Sequence, residues 1–448
     1  MKLPLNDTIA AIATPPGTGG VGVIRISGAL CAPIATRLIK KPLTPRTAHY
    51  AAFLDEHENA IDTGIALYFP TPASYTGEDI LELQAHGGTV VMNMLLKRVI
   101  ALGARLARPG EFTERAYLNN KLDLAQAEAV ADLIESSTEQ SVRSAQRSMQ
   151  GVFSELINEL VTELTELRVY IEAAIDFVDE EIDFLSDGII EKGIVQLINR
   201  LKTIEQTAQQ GRLLREGMTV VLAGKPNAGK SSLLNALAGH EAAIVTDIAG
   251  TTRDVLRERI QLDGLPMHII DTAGLRESAN LVEQEGIRRA HDEIRKADKV
   301  LLLIDIQDDD NHGLMSSLPA NVDITKVYNK IDLQSRPAEI KQNQEGTEIY
   351  LSIKTGAGLN LLTEHLKQSV GYNDNTETVF TARARHVRTL QLGREHVEAA
   401  LLQLQHNLAS ELVAEELRLA QQTLSEITGE FTSDDLLGKI FSSFCIGK

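Results

Sequence analysis

A chain of 448 residues, 43% hydrophobic and 24% charged, is long enough for two or three domains with substantial cores and has the balance of a soluble globular protein. Its formal charge of −18, from 62 acidic residues against 44 Lys plus Arg, argues against a broad nucleic-acid-coating role and leaves room only for a local basic patch. Two cysteines, Cys31 and Cys445, exclude a disulfide framework or a zinc cluster and fit a reducing cytoplasm; the apolar run at residues 9–13 stops at Pro15 and Pro16, so no signal peptide is expected, and no apolar run reaches membrane-spanning length.

Residues 1–119 carry short strand-like runs at 7–14, 20–27, 61–69 and 80–84, broken by Gly and Pro, and read as a small α+β domain. Three motifs lie in it: Thr14-Pro15-Pro16-Gly17-Thr18-Gly19-Gly20-Val21-Gly22, then Tyr75-Thr76-Gly77-Glu78-Asp79 with His86-Gly87-Gly88, then Arg108-Pro109-Gly110-Glu111-Phe112-Thr113. The glycine stretch does not suit a dinucleotide fingerprint, because it precedes its strand where that fingerprint follows one. Glu82, between Leu81 and Leu83, is open to two readings, a carboxylate on the solvent face of a strand or a functional one.

From 120 to 216 the pattern is helical. Phe153, Leu156, Leu160, Leu164, Leu167, Ile171 and Ile175 recur at helical spacing, as do the apolar positions around Val130, Leu133 and Ile134, and predict long bundle helices. The acidic cluster Asp176, Asp179, Glu180, Glu181 and Asp183 reads as a solvated helix end, with a metal site as the alternative.

Residues 217–372 carry nucleotide chemistry. The apolar run at 219–223 passes into Gly224-Lys225-Pro226-Asn227-Ala228-Gly229-Lys230-Ser231-Ser232, a strand entering a phosphate loop. Backbone N–H groups turn onto the phosphates there, Lys230 neutralises the β and γ oxygens, and the Ser231 hydroxyl can ligate Mg²⁺. A second strand at 267–270 ends in Asp271-Thr272-Ala273-Gly274, where a carboxylate can reach the magnesium shell and a glycine N–H the γ-phosphate. A third strand runs over 300–304, and a fourth at 324–328 delivers Asn329-Lys330-Ile331-Asp332. Guanine presents N1–H and a 2-amino group side by side, a donor pair the Asp332 carboxylate accepts bidentately; adenine has no N1–H, so GTP is the nucleotide. Ser352-Ile353-Lys354 stands where such domains usually carry Ser-Ala-Lys and present a main-chain N–H to the guanine oxygen.

The helical pattern resumes over 373–448, with Leu390, Val397, Leu401, Leu404, Leu408, Leu412 and Leu417 on one stripe. The expected architecture is therefore multidomain α/β, with a Ras-like P-loop GTPase domain inserted into an α-helical bundle and preceded by the α+β domain. Arg383, Arg385, His386 and Arg388 form the densest basic cluster, open to two readings: contact with RNA phosphates, or salt bridges to acidic helices. Amphipathic Leu437, Ile440, Phe441 and Phe444 would anchor the tail Cys445-Ile446-Gly447-Lys448, a poor fit to a prenylation box.

The N-terminal glycine motif, the inserted phosphate loop, Thr246-Asp247-Ile248-Ala249-Gly250-Thr251-Thr252-Arg253-Asp254 and the terminal Cys-Ile-Gly-Lys together resemble, over the full length, the MnmE/TrmE family of tRNA wobble-uridine modification GTPases. The resemblance implies a homodimer formed through the N-terminal domain, itself similar to tetrahydrofolate-binding modules. It implies 5-formyl- or methylene-tetrahydrofolate as one-carbon source, with folate contacts at Arg25, Glu82, Lys121 and Lys448. It implies a FAD-dependent partner, MnmG (GidA), joined in a heterotetramer or larger complex, which together with the family member builds a carboxymethylaminomethyl or aminomethyl group on C5 of uridine 34 in certain tRNAs.

Hydrolysis needs a group other than the usual glutamine, because Leu275 stands where Ras-like GTPases place it. The resemblance implies that K⁺ takes the place of an arginine finger, held by Asn227, Thr246, Ile248 and Thr251 while G domains pair across the dimer, and that Thr252 completes the Mg²⁺ shell with Ser231. It also implies that Glu283 orients the attacking water. Two rivals are weighed against this cytoplasmic enzyme. One is a regulatory GTPase acting on ribosome or RNA without modification chemistry, for which a basic tail with a GXXG clamp is missing. The other is a folate-dependent one-carbon transferase with a degenerate GTPase, against which every nucleotide motif is intact.

Overall fold

The structure, a computed structural model, describes residues 7–176, 188–240, 257–271, 297–308, 323–343, 346–372, 379–407, 410–430, 434–445 and 447. The chain divides into two compact units, one of residues 1–131, 149–190 and 399–448, the other of residues 132–148 and 191–398.

In the first unit, alternating apolar residues form β1 (Ile9–Ile12), β2 (Gly19–Ser27), β4 (Ala60–Phe69) and β5 (Ile80–Gly87), while β3 (His49–Leu54) and β6 (Arg105–Leu106) add edge strands that the sequence pattern does not predict. The sheet order is β3-β4-β5-β2-β1-β6, antiparallel except for the β1–β6 pair. Ile24, Ile26, Leu81 and Leu83 bury one face against α1 (Cys31–Ile39) and α2 (Thr89–Ala101). The two-residue period of a strand sends Arg25, Ser27 and Glu82 to the other face, where Phe112 of α3 (Glu111–Leu118) packs with Ile9, Ala11 and Tyr75. Within the glycine stretch, a Cβ on Gly22 would displace the Met92 side chain, whereas Gly17 and Gly20 face open space.

Helices α4 (Leu124–Glu135), α5 (Glu139–Met149), α6 (Val152–Asp176) and α7 (Ile189–Glu216) follow. On α6 the face without exposed surface is Phe153, Ile157, Leu160, Leu164 and Ile171; Leu156, Leu167 and Ile175 of the expected stripe are only half-buried, and Ile134 on α4 is 46% exposed. Of the acidic cluster, Asp176 ends α6 and the rest lies outside the described residues.

The second unit holds β7 (Met218–Gly224), α8 (Lys230–His240), β8 (Arg257–Leu262), β9 (Leu265–Asp271), β10 (Lys299–Asp305), β11 (Ile324–Asn329), a 3-10 turn (Ile331–Gln334), β12 (Glu339–Asn343), β13 (Gly346–Tyr350) and α9 (Leu359–Ser369). The order is β12-β13-β11-β10-β7-β9-β8, parallel throughout except for the two edges β12 and β8. Strands of a parallel sheet are covered on both faces and so read as continuous apolar runs. Val220, Leu222, Leu301 and Leu303 fill one side, and Val221, Ala223, Val300 and Leu302 the other. The four strands predicted from such runs are its adjacent centre, β11-β10-β7-β9. Their carboxyl ends open on one edge, where the loops of an α/β sheet build ligand sites. This is the P-loop GTPase fold.

Helix α10 (Ala384–Asn407) buries Leu390, Val397 and Leu404, and α11 (Ser410–Ser425) packs on α6 through Val413, Leu417, Ala420 and Leu424. The expected single stripe falls on two described helices, and Leu412 is 49% exposed; Leu408 lies outside the described residues. Helix α12 (Asp434–Ser442) brings Ile440 and Phe441, with Phe444 beyond it, against Leu124, Ala127 and Ala131.

Candidate functional site

Strand β7 ends against β10 so closely that a Cβ on Gly224 would lie 2.5 Å from the Leu303 carbonyl oxygen. Asn227 (φ 64°) and Gly229 (φ 105°) take left-handed conformations, which asparagine tolerates through its short polar side chain. They turn the loop into the first residues of α8, so that backbone N–H groups and the positive end of the helix dipole face one point. Lys230 is 9% exposed, and its Nζ donates to the carbonyl oxygens of Gly224 (2.7 Å) and Lys225 (3.1 Å), which holds the ammonium at the loop. Ala228 is buried, whereas Asn227, Ser231 and Ser232 are exposed. A hydroxyl at Ser231 and an amide oxygen at Asn227 are hard donors of the kind Mg²⁺ and K⁺ take. Lys225 Nζ pairs with Asp308 at 2.9 Å and braces the loop from the side.

Asn329, 4% exposed, is the joint of the site. Its Nδ2 donates to the Ala228 carbonyl at 2.9 Å, and its Oδ1 accepts the N–H of Lys330 at 2.8 Å and of Ile353 at 3.1 Å. One side chain thus ties the phosphate loop to the Asn-Lys-Ile-Asp turn and to the Ser-Ile-Lys loop. The Ile353 N–H, the central one of the Ser-Ile-Lys loop, is committed to Asn329. Lys330 Nζ donates to Asp305 Oδ2 at 2.6 Å, and this hydrogen bond holds the Asp305 carboxyl below its ordinary range. Asp332 stands on the 3-10 turn with Oδ1 accepting from Ser352 Oγ at 2.6 Å, which fixes the carboxylate plane. Lys354 follows and is exposed. The remaining nucleotide candidates, Thr246, Asp247, Ile248, Ala249, Gly250, Thr251, Thr252, Thr272, Ala273, Gly274 and Glu283, lie outside the described residues, and Asp271 is described only as the last backbone position of β9.

In the first unit Arg25 and Glu82 are register partners on β2 and β5, and Arg25 Nε donates to Glu82 Oε1 at 2.9 Å. Their side chains are 21% and 17% exposed, so Glu82 is an ion-paired, half-covered carboxylate and not a freely solvated one. The Arg25 guanidinium lies 5.6 Å from the Tyr75 ring centre and 6.0 Å from that of Phe112. Among the described residues Glu82 Oε2 has no partner, which leaves one carboxylate oxygen able to accept from a ligand. Lys121, just past α3, is exposed, and Lys448 lies outside the described residues.

Behind Arg25 lies a buried lattice that sequence reasoning missed. Arg115 (4% exposed) reaches Asp7 at 2.6 Å, Glu78 at 3.0 Å and Glu111 at 3.3 Å, and Arg105 pairs with the same Glu111 at 2.5 Å. Burial pushes the Glu111 carboxyl up, but Arg105, Arg115 and the Arg108 N–H together hold it below its usual range. The available signal was the Tyr75–Asp79 motif, conspicuous in composition yet without assigned chemistry. Burial pushes the Cys31 thiol up to about 12, which makes it an inert core residue. Cys445 is exposed, its carbonyl accepting the Gly110 N–H at 3.4 Å. In the second unit Arg383 donates to Asp132 at 2.7 Å, as does Arg215, so that member of the basic cluster is ion-paired.

Residues 124–445 match the family model described as MnmE helical domain, and residues 8–121 the one described as GTP-binding protein TrmE N-terminus. The chain is 57% identical to a protein named tRNA modification GTPase MnmE from Proteus mirabilis (strain HI4320), over 99% of each chain. It is 55% identical to one of that name from Hydrogenovibrio crunogenus (strain DSM 25203 / XCL-2), over 100% of each. A third, from Histophilus somni (strain 129Pt), is 58% identical over 99% of this chain and 100% of its own. The chain belongs to the MnmE family.

Proposed function

We propose that this chain is a GTP hydrolase acting in tRNA modification, and that its turnover is stimulated by K⁺. The observation that supports it best is the Asn329 joint, which puts a phosphate loop and an Asp332 carboxylate suited to guanine in one preorganised site. Lys230 and the loop N–H groups bind the phosphates, Ser231 and Thr252 hold Mg²⁺, and Asp332 selects guanine. Asn227, with Thr246, Ile248 and Thr251, holds K⁺, which when bound supplies positive charge where an arginine finger would. Glu283 orients the attacking water.

The domain arrangement in this reading is 1–119 for folate binding and dimerisation, 120–216 and 373–448 for the helical domain, and 217–372 for the GTPase. A reduced folate, 5-formyl- or methylene-tetrahydrofolate, sits at Arg25, Glu82, Lys121 and Lys448 as one-carbon source. With the FAD-dependent partner MnmG, a homodimer of this chain adds a carboxymethylaminomethyl or aminomethyl group to C5 of uridine 34, in the cytoplasm. GTP turnover in KCl against NaCl at matched ionic strength, with protein concentration varied, tests the hydrolytic part. Strong K⁺ stimulation that rises with concentration is expected; equal rates in the two salts would refute the cation site. Transfer to tRNA is tested by reconstitution with the partner, where unmodified uridine 34 would overturn the assignment.

A further inference from the structure

The Tyr75–Asp79 loop lies between the two ends of the candidate one-carbon site, and it is fastened at both. At the Arg25 end, Ser27 Oγ hydrogen-bonds Thr76 Oγ1 at 2.8 Å and donates to Glu78 Oε2 at 2.7 Å, while Arg115 holds the same Glu78 carboxylate. Tyr75 lies against the Arg25 guanidinium and hydrogen-bonds Thr113 through its hydroxyl at 2.9 Å. At the other end Asn119, the C-cap of α3, donates from Nδ2 to the Thr76 carbonyl at 2.7 Å. Asn120 then turns the chain with φ 53°, and the Lys121 N–H returns to the Ala116 carbonyl at 2.8 Å. Gly77 closes the contact: at φ 78° a Cβ there would meet Asn119 Cβ at 3.1 Å and Lys121 Cγ at 3.3 Å. Among the described residues the Lys121 ammonium has no ion pair, and the residue is exposed.

We propose that Asn119 is a positioning residue which, by clasping the Tyr75–Asp79 loop, fixes where Lys121 stands relative to the Arg25–Glu82 pair. The inference rests on the reading that a reduced folate occupies these residues, with its pterin edge at Glu82 and its glutamate carboxylate at Lys121. The amide donor is what matters, since the Thr76 carbonyl can only accept; Asn119→Asp keeps the size and removes the donor.

The test is calorimetric titration of the full-length protein with two probes, 5-formyltetrahydrofolate and a tetrahydropterin lacking the benzoylglutamate tail, alongside thermal unfolding. For Asn119→Ala and Asn119→Asp, affinity for the folate is expected to fall roughly tenfold, the scale of one positioned hydrogen bond, while affinity for the tetrahydropterin stays as in the parent. Lys121→Ala should show the same split, and the Asn119→Ala/Lys121→Ala double variant should lose no more than Lys121→Ala alone. Additive losses, equal weakening of both probes, or an unchanged folate affinity in Asn119→Ala would overturn the positioning role. A parent protein that unfolds normally yet binds neither probe would overturn the underlying folate reading together with it.

Discussion

Replacing Asn329 with alanine probes whether the GTP site is preorganised before nucleotide arrives. The side chain makes three hydrogen bonds to backbone groups of Ala228, Lys330 and Ile353, and it is 4% exposed. At a net value of about 1 kcal/mol each, their loss costs about 3 kcal/mol. These contacts exist without nucleotide, so the cost falls first on the fold. For a cooperative unit of 150–250 residues, roughly 2–4 °C per kcal/mol gives a drop of about 6–12 °C in the unfolding of the second unit. Nucleotide affinity falls with it, because the phosphate loop and base-binding turn no longer hold their spacing. Differential scanning calorimetry of the nucleotide-free protein, followed by titration with a fluorescent GDP analogue, reads both. Gly229→Ala should converge on the same contact, since its Cβ would lie 2.5 Å from Asn329 Nδ2, and the double variant should be less than additive. An Asn329→Ala protein that weakens nucleotide binding while unfolding at the parent temperature would refute preorganisation, as it would show that the joint forms only around the ligand.

Asp332→Asn replaces an acceptor pair with an amide and should weaken GTP by about 100-fold or more while admitting xanthosine triphosphate; competition titration with both nucleotides checks it, and retained GTP preference would mean the base is read elsewhere. Asn227→Ala should keep GTP binding and lose K⁺ stimulation, an idea sunk by an unchanged KCl dependence. Glu283→Ala should reduce hydrolysis by roughly 100-fold or more with affinity intact, and near-normal single-turnover rates would place the water's orienter at another residue. Glu111 is 2% exposed and its folded-state carboxyl titrates below its unfolded value, so its stabilisation is complete above about pH 4.3 and drains as pH falls through the folded value. Glu111→Gln should therefore lower stability near neutral pH, by about 3 kcal/mol for a broken buried pair, and flatten the acid limb of an unfolding-versus-pH curve; an unaltered acid limb would show that other carboxylates set it.

The nucleotide half of the molecule was legible because its chemistry is written in contiguous residues on strands buried on both faces. A phosphate loop needs its glycines and lysine within one turn, and central parallel strands need unbroken apolar runs, so β7, β9, β10 and β11 announce themselves. Edge strands are under neither constraint. β8 (Arg-Glu-Arg-Ile-Gln-Leu) and β12 (Glu-Ile-Lys-Gln-Asn) pair on one side only and carry charge outward, which protects the edge and erases the pattern that would reveal it. The Leu390–Leu417 stripe is less complete for a different reason: a periodicity sum treats it as one span, whereas the described residues place it on two helices.

What stayed hidden in both halves is the part that lies far apart in the chain. Asn329 reaches partners 101 and 24 residues away as well as its neighbour, and Arg115 partners 108 and 37 residues away, so no window contains either constellation. Glu82 shows what this costs an inference from pattern. Strand alternation places it correctly on the face away from the core, and that face is normally solvent; here α3 and the Tyr75–Asp79 loop cover it, and the covering residues come from elsewhere in the chain. Alternation reports which side a residue faces and nothing about what lies on that side. For a carboxylate the difference decides between a solvated charge worth little and one paired with Arg25, whose guanidinium in turn lies against the Tyr75 and Phe112 rings.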